Sequence, residues 1–441
     1  MTADPATGTD SATGTDPATG MDSEIKTGSA TSARSATSTG PASRVAPARV
    51  ALIGTRGFGA VHLRNLARLE QEGAARLVGV VDVAEPPAEL AGIHHRSLAD
   101  LLAALPDEER PEIVAIATPI GTHVPLATEA LAAGLDVYLE KPPVPALADH
   151  WTLLAAAEAA GRSVQVGFQA RGGTGVEVLR REVAECGLGP VTAVHVYGAW
   201  QRDRAYYARS AWAGKRRLAD GRRVADGVAT NPLAHAVHAG LAIAGIDEVA
   251  DIAGVTTELR RAHDIQADDT TFLRIDPVGP GPSVVCALTT TAPEQASPWI
   301  EISGFGGSHR LYYTEDRSVR STADGASEEL SHERSDLMEN LIAHVRDRQV
   351  LLVSSLASTG VFSAVLEAIQ SVPDPLPIDA SAIDWRGEGE QAHPVVEDIE
   401  ATLLAALEAG RPFTELGVSW AREDAVHTWS APADLVNAPM A

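Results

Sequence analysis

The sequence predicts an α/β protein in two main parts: an N-terminal domain on a parallel sheet covered on both faces, and a C-terminal α+β domain with a large, mostly antiparallel open sheet. Three observations lead there. Short apolar runs alternate with helical patterns between Arg49 and Phe168. Beyond about Gly189 that alternation stops, and strand-like runs follow one another with turns between them. Before Arg49 there is almost no large apolar side chain. Strands apolar on both faces and separated by helices suit a parallel sheet between helical layers, whereas strands joined by turns suit an antiparallel one.

Residues 1–46 are Ala, Thr, Ser, Gly, Asp and Pro, with Asp-Pro-Ala-Thr-Gly occurring twice. Such a segment has too little apolar surface to offset its chain entropy and is expected to be a disordered tail. The first domain, 47–170, has strands at Arg49–Ile53, Leu77–Asp82, Ile113–Ala117, Val137–Leu139 and Val164–Phe168. Helical patterns lie between them, at Val61–Leu69, Leu98–Leu105, His123–Ala133 and Ala146–Ala160. The second domain, 171–372, has an alternating strand at Val191–Gly198, a helix over Asn231–Ala244, and strands at Val249–Leu259, Thr270–Ile275, Ser283–Thr291, Trp299–Ser303 and Arg310–Tyr313. Helices at Leu337–Val345 and Leu356–Ile369 are expected to pack back. Residues 373–441 form an extension with one helix, Val396–Leu407.

Composition excludes several function classes. The formal net charge is −24, without the Lys/Arg stripe that a phosphate backbone requires, so no nucleic-acid partner is expected. The run Lys215-Arg216-Arg217 fits a solvated loop or an anion site. Cys186 and Cys286 have no metal-type spacing, so neither a zinc site nor a disulfide framework is expected. No apolar run reaches membrane-spanning length and the N-terminal stretch has no signal-type apolar region, so a cytoplasmic protein without a membrane partner is expected. Lysine occurs only at 26, 141 and 215. Where arginine is the default cation, a lysine can mark a position needing a compact, titratable ammonium.

Gly54-Thr55-Arg56-Gly57-Phe58-Gly59 falls between a strand and a helix. That is where a Rossmann fold needs a tight turn and free main-chain N–H groups to hold a pyrophosphate. Gly54 and Gly59 occupy the first and third glycine positions of Gly-x-Gly-x-x-Gly; Arg56 replaces the second, with Gly57 beside it. Asp82 ends the second strand 23 residues after Gly59, placed to accept from ribose hydroxyls and to repel a 2′-phosphate. This favours NAD over NADP, although Arg56 could pair with a phosphate.

Further segments extend the pattern: Ala117-Thr118-Pro119 with Thr122-His123, Glu140-Lys141-Pro142, and Val166-Gly167-Phe168-Gln169 with Arg171. With the glycine loop and His62, they resemble the Gfo/Idh/MocA family, the glucose–fructose oxidoreductase and inositol dehydrogenase group, over about residues 48–370. The resemblance implies a Rossmann domain followed by a domain whose open sheet forms the contact in a homo-oligomer, a dimer or tetramer. It implies a cis bond before Pro142, and cofactor contacts from Gly54, Thr55, Arg56, Gly57, Phe58, Gly59, Asp82, Thr118, Pro119, His123, Glu140 and Lys141. Lys141 would lie near the nicotinamide and the reacting hydroxyl. The family's Asp-x-x-x-His pattern maps onto Asn231-Pro232-Leu233-Ala234-His235, read as one helical face, with Asn231 in place of the acid. His235 is then the acid/base, while Asn231 can hydrogen-bond a hydroxyl but takes no proton.

The polar and aromatic stretch 201–215 suits either the mouth of a sugar site or a packing contact; Arg171, Tyr207, Arg209 and Lys215 are the candidate substrate contacts beside Asn231 and His235. No metal is expected. The leading expectation is hydride transfer between NAD and a secondary alcohol of a sugar, cyclitol or related polyol. Two alternatives stand beside it: a glycosidase that oxidises its sugar transiently with held NAD, as some members of the family do, and a non-catalytic dinucleotide or sugar sensor, which Arg56 and Asn231 keep open.

Overall fold

The computed structural model describes residues 46–431. All but the last residue of the low-complexity tail lie outside them, as does 432–441. Six parallel strands form the first sheet: β1 (Ala48–Ile53), β2 (Ala75–Val81), β3 (His94–His95), β4 (Ile113–Ile116), β5 (Asp136–Leu139) and β6 (Val164–Val166), in the order β3-β2-β1-β4-β5-β6. This is the Rossmann order, in which the strand sequence reverses beside β1 and leaves a crevice at the carboxyl ends. The connecting helices are α1 (Phe58–Gln71), α2 (Leu98–Ala104), α3 (His123–Ala132) and α4 (Leu147–Ala160). β1, β4 and β5 are buried along nearly their whole length, which is why they read as continuous apolar runs.

After α5 (Thr174–Ala184) the chain enters the large sheet. Its strands are β7 (Ala193–Ala199), β8 (Ile252–Arg261), β9 (Thr270–Pro277), β10 (Ser283–Thr289), β11 (Trp299–Gly304), β12 (Gly307–Tyr312), β13 (Arg317–Thr322) and β14 (Ser327–Ser331), in the order β14-β13-β12-β11-β7-β10-β9-β8. Every neighbouring pair in that run is antiparallel except β7 and β10. Two helices precede β8: α6 (Arg204–Ala208) and α7 (Ala234–Ala244). Two follow β14: α8 (Leu337–Arg346) and α9 (Gly360–Ser371). The sheet's inner residues, among them Val194, Val196, Leu273, Val284 and Ile300, pack with Val237 and Leu241 of α7 and Phe362 and Val365 of α9. α8 returns to the first domain, where Leu337, Met338 and Leu341 join Val50, Leu52 and Leu66.

The C-terminal residues complete the second sheet. β15 (Leu376–Pro377) and β18 (Val426–Trp429) both pair with β8. Between them lie the hairpin β16 (Ile383–Arg386) and β17 (His393–Val396), and α10 (Ile399–Ala409). α10 lies on the sheet's outer face: Ile399, Leu403, Ala406 and Leu407, with Phe413 and Trp420, bury Tyr197, Phe272, Val285, Ala287 and Trp299. The sheet face expected to meet a neighbouring copy is thus covered at its centre by the chain itself. Over β11–β14 the outer positions include Glu301, Ser303, Arg310, Arg317 and Glu329, a polar surface. Among the described residues no helix is long and apolar enough to cross a membrane.

Two buried histidines make the fold acid-sensitive. His150 on α4 has no hydrogen bond at either ring nitrogen, and burial pushes its pKa from 6.5 down to about 4. His238 on α7 is held at about 3, by burial first and then by the Arg171 charge. Between the unfolded and folded values the unfolded chain binds protons that the folded chain excludes. Stability is therefore full above the unfolded value and falls with pH below it, by up to about 1.4 kcal/mol per pH unit for each imidazole. His150→Leu is expected to flatten the fall in thermal midpoint between pH 6.5 and 4. Equal slopes for variant and parent would remove His150 from the account.

Candidate active site

The glycine loop closes the end of β1. Gly54 has φ +87°, and a Cβ on Gly59 would lie 2.1 Å from the Gly54 carbonyl oxygen. Both positions therefore exclude side chains, and the loop stays tight enough for main-chain contact with a ligand. Gly57 caps α1, and no side chain hydrogen-bonds to it as a cap. A helix start of this kind presents N–H groups and the positive end of the helix dipole to an anion.

Asp82 lies where β2 ends. Its Oδ2 accepts from the Thr55 N–H at 3.0 Å and hydroxyl at 2.7 Å, and its Oδ1 from the Ala84 N–H at 3.0 Å. Burial pushes this carboxyl up, but the Ala84 and Thr55 hydrogen bonds and the Arg56 charge outweigh it, so the pKa falls below the ordinary value. Arg56 is exposed and reaches the Glu85 carbonyl at 3.4 Å; it does not fill the turn. Across the crevice, the Thr118 hydroxyl bonds to that of Thr122 at 2.7 Å, ordering the loop through Pro119.

His123 is internal. Its ring is buried, with Nε2 2.8 Å from the Thr118 carbonyl oxygen and Nδ1 3.0 and 3.2 Å from those of Pro142 and Pro143. Main-chain oxygens lie at both nitrogens, so His123 pins two loops together. Glu140 is likewise internal: Oε1 is 2.8 Å from His62 Nε2, and Oε2 accepts from the Lys141 N–H at 3.1 Å. These contacts fix the chain entering Lys141, and the bond to Pro142 is cis.

Lys141 Nζ donates to the Asn231 main-chain oxygen at 3.0 Å and side-chain Oδ1 at 2.8 Å. It also lies 5.9 Å from the centre of the Phe58 ring, so the ammonium is at the mouth of the glycine loop. Asn231 is not on the helix: α7 starts at Ala234, and Asn231 sits in the preceding turn, its N–H bonded to the Gly227 carbonyl at 2.9 Å. That turn, rather than a shared helical face, brings Asn231 to Lys141. His235, in the first turn of α7, is 7 % exposed, with the Phe168 ring edge-on at 5.8 Å. Burial, then the charges of Lys141, Arg334 and His238, hold its pKa well below the ordinary imidazole value. The ring is therefore neutral near pH 7 and able to accept a proton.

The sequence reading missed Asp226. It is 4 % exposed and accepts from Asn231 Nδ2, from the Gly214 N–H at 2.6 Å, and from Arg209 Nη2 at 3.1 and 3.3 Å. A carboxylate inside the run Val224-Ala225-Asp226-Gly227-Val228 was the available signal. The other candidates divide. Arg209 reaches the site through Asp226, its guanidinium 3.7 Å from the Tyr206 ring centre and 4.7 Å from that of Trp212. Tyr207 is directed at the sheet, its hydroxyl 3.1 Å from that of Thr290. Arg171 pairs with Glu177 at 3.0 Å and has no hydrogen bond to Lys141, Asn231 or His235 among the described residues. The Lys215 N–H donates to the Trp212 carbonyl at 3.1 Å. Among the described residues no cluster of three or more His, Cys, Asp or Glu is placed to hold a metal.

Residues 48–168 match the model of the oxidoreductase family with an NAD-binding Rossmann fold, Gfo/Idh/MocA. The matched stretch is the first domain. Inositol 2-dehydrogenases from an Arthrobacter species and from Rubrobacter xylanophilus are 32% and 34% identical to the chain over 149 and 162 residues. These stretches are 33% and 35% of this chain and 44% of each relative, so the match spans less than half the relatives' length. Likeness of fold reaches further than the Gfo/Idh/MocA domain. An inositol dehydrogenase homologue from Azotobacter vinelandii, solved with NAD+, superposes with a TM-score of 0.61 at 18% identity, over 74% of this chain and 95% of that one. The WlbA dehydrogenase from Chromobacterium violaceum, solved with NADH and UDP-GlcNAcA, gives 0.59 at 23%, over 75% and 95%.

Proposed function

We propose that this chain is an NAD-dependent oxidoreductase acting on a secondary alcohol of a sugar, cyclitol or related polyol. One observation carries the reading: the Lys141 ammonium stands between Phe58 of the glycine loop and Asn231, with His235 four residues on, in the first turn of α7. The residues suit a dinucleotide. Gly54–Gly59 leave a main-chain cradle for the pyrophosphate, and the ionised Asp82 suits a ribose diol and disfavours a 2′-phosphate. A bound nicotinamide would supply the hydride acceptor or donor. Lys141 then donates to the alcohol oxygen and stabilises the charge developing there, and His235 takes up the hydroxyl proton. The inositol 2-dehydrogenases matched by the first domain support a polyol as the substrate class.

The test is to supply NAD and a panel of inositols, aldoses and sugar acids to the purified full-length chain. NADH is expected to accumulate with at least one secondary alcohol, and NAD to be preferred to NADP by at least about tenfold. Dinucleotide binding without turnover across the panel would overturn the reading in favour of a sensor. Glycoside cleavage without net NADH formation would overturn it in favour of transient oxidation.

A further inference from the structure

We propose that Asp226 is the carboxylate of this site: a positioning residue that acts on Lys141 through the side-chain amide of Asn231 and holds the 209–214 segment with the same two oxygens. The inference rests on the proposed oxidoreductase reading for its catalytic consequence, and on geometry alone for the linkage.

The orientation of Asn231 follows from its neighbours. An ammonium only donates hydrogen bonds and a carboxylate only accepts them. An amide between the two has one satisfactory arrangement, with Nδ2 toward Asp226 and Oδ1 toward Lys141. Because the Asn231 main-chain oxygen also accepts from Nζ, the lysine is tied to this residue at two points. The chain carboxylate–amide–ammonium is polarised in one direction, and in a water-poor setting each bond strengthens the next.

The burial of Asp226 requires compensation, and the compensation comes from the site. A carboxylate 4 % exposed is costly unless paired and hydrogen-bonded. Here the charge is met by Arg209, the Gly214 N–H and the Asn231 amide. Arg209 is itself held against the rings of Tyr206 and Trp212. One carboxylate therefore sets both the direction of Lys141 and the seat of the polar, aromatic segment beside it.

The same geometry accounts for asparagine at 231, where the resembling pattern has an acid. Asp at 231 would place two carboxylates within hydrogen-bond distance, and such a pair cannot both ionise without a large cost. With Asn231 and Asp226 the site keeps one negative charge, moved one hydrogen bond away from the ammonium.

With only three lysines, the linkage can be read without a substrate. The full-length chain, labelled with 13C at lysine Cε, gives one signal for each lysine, and Lys141→Arg identifies the one from 141. In Asp226→Asn the titration midpoint of that signal is expected to fall by about one unit or more, with a retained cooperative thermal transition as the control for the fold. In Asp226→Asn/Asn231→Asp, with the charge now beside the ammonium, it is expected to return to the parent value or above. An unmoved Lys141 signal in Asp226→Asn, or a double variant that behaves like the single one, would overturn the proposal.

If Asp226→Asn gives no cooperative thermal transition, Asn231→Asp alone carries the test. Its two carboxylates are expected to share a proton and show a group titrating about one unit or more above every aspartate of the parent chain, read on 13Cγ-labelled Asp. Absence of that group overturns the linkage. Where a polyol is turned over, Asp226→Asn is expected to lower kcat about tenfold with dinucleotide binding retained, and the double variant to recover most of it. A chain that oxidises no polyol yet shows the Lys141 shift contradicts the proposed function and leaves the linkage standing.

Discussion

Lys141→Ala is expected to lower kcat for polyol oxidation by about 10²- to 10⁴-fold while leaving the dinucleotide affinity within about threefold. The ammonium lies between Phe58 and the two oxygens of Asn231, and in the proposed reaction it is the cation directed at the reacting oxygen. The cradle proposed for the pyrophosphate, by contrast, is main chain at Gly54–Gly59 and does not depend on residue 141. Lys141→Arg is not expected to rescue, because a planar guanidinium cannot fill the place of a compact ammonium bonded to two oxygens of one residue. Steady-state rates, with dinucleotide binding followed by fluorescence, test both parts. A loss below about tenfold would place the chemistry elsewhere. The same assay reads His235: with its pKa held well below 6.5, alcohol oxidation is expected to show no loss as pH falls through the ordinary imidazole range.

Removing residues 373–441 is expected to leave a chain that aggregates or fails to fold. The deletion uncovers Tyr197, Phe272, Val285, Ala287 and Trp299 on the large sheet and removes Ile399, Leu403, Leu407, Phe413 and Trp420 that cover them. At about 1.5–3 kcal/mol for each large apolar side chain, the loss is comparable with the whole stability of a domain. It also strips β15 and β18 from the edge of β8. The buried Arg260–Glu258 pair, at 2.7 Å, loses Thr414 and the Glu423 carbonyl as hydrogen-bond partners. A milder form of the experiment is Leu403→Ala, expected to cost about 2–5 kcal/mol in thermal or denaturant unfolding. A truncated chain that does not aggregate and unfolds at the parent midpoint would show the cover to be dispensable.

Much of the first domain was legible because its strands are buried on both faces: β1, β4 and β5 are almost unbroken apolar runs ending in glycine, alanine or glutamate turns. β13 and β14 were not, because Arg-Ser-Val-Arg-Ser-Thr and Ser-Glu-Glu-Leu-Ser lie toward a polar edge and lack an apolar alternation. The α10 helix could be read from its sequence, but the surface it covers is set by tertiary packing. In the site, Lys141 stood out through its rarity and its place after a strand. Asp226 did not, because it lies outside regular structure and its partners at 209, 214 and 231 meet only when the loop closes. The internal bonding of His123 was hidden for the converse reason. Its neighbours in sequence line the crevice, while its ring faces main-chain oxygens of Thr118 and Pro142.

The placement of α10 has a consequence on dilution. An apolar face shared between two copies comes apart as the copies become scarce, because its contribution to stability scales with the logarithm of their concentration. When the cover is tethered to the same polypeptide, its local concentration is fixed by the linker and is the same in a crowded or an empty solution. The contacts of Leu403 and Leu407 with the sheet therefore hold the second domain shut at any abundance.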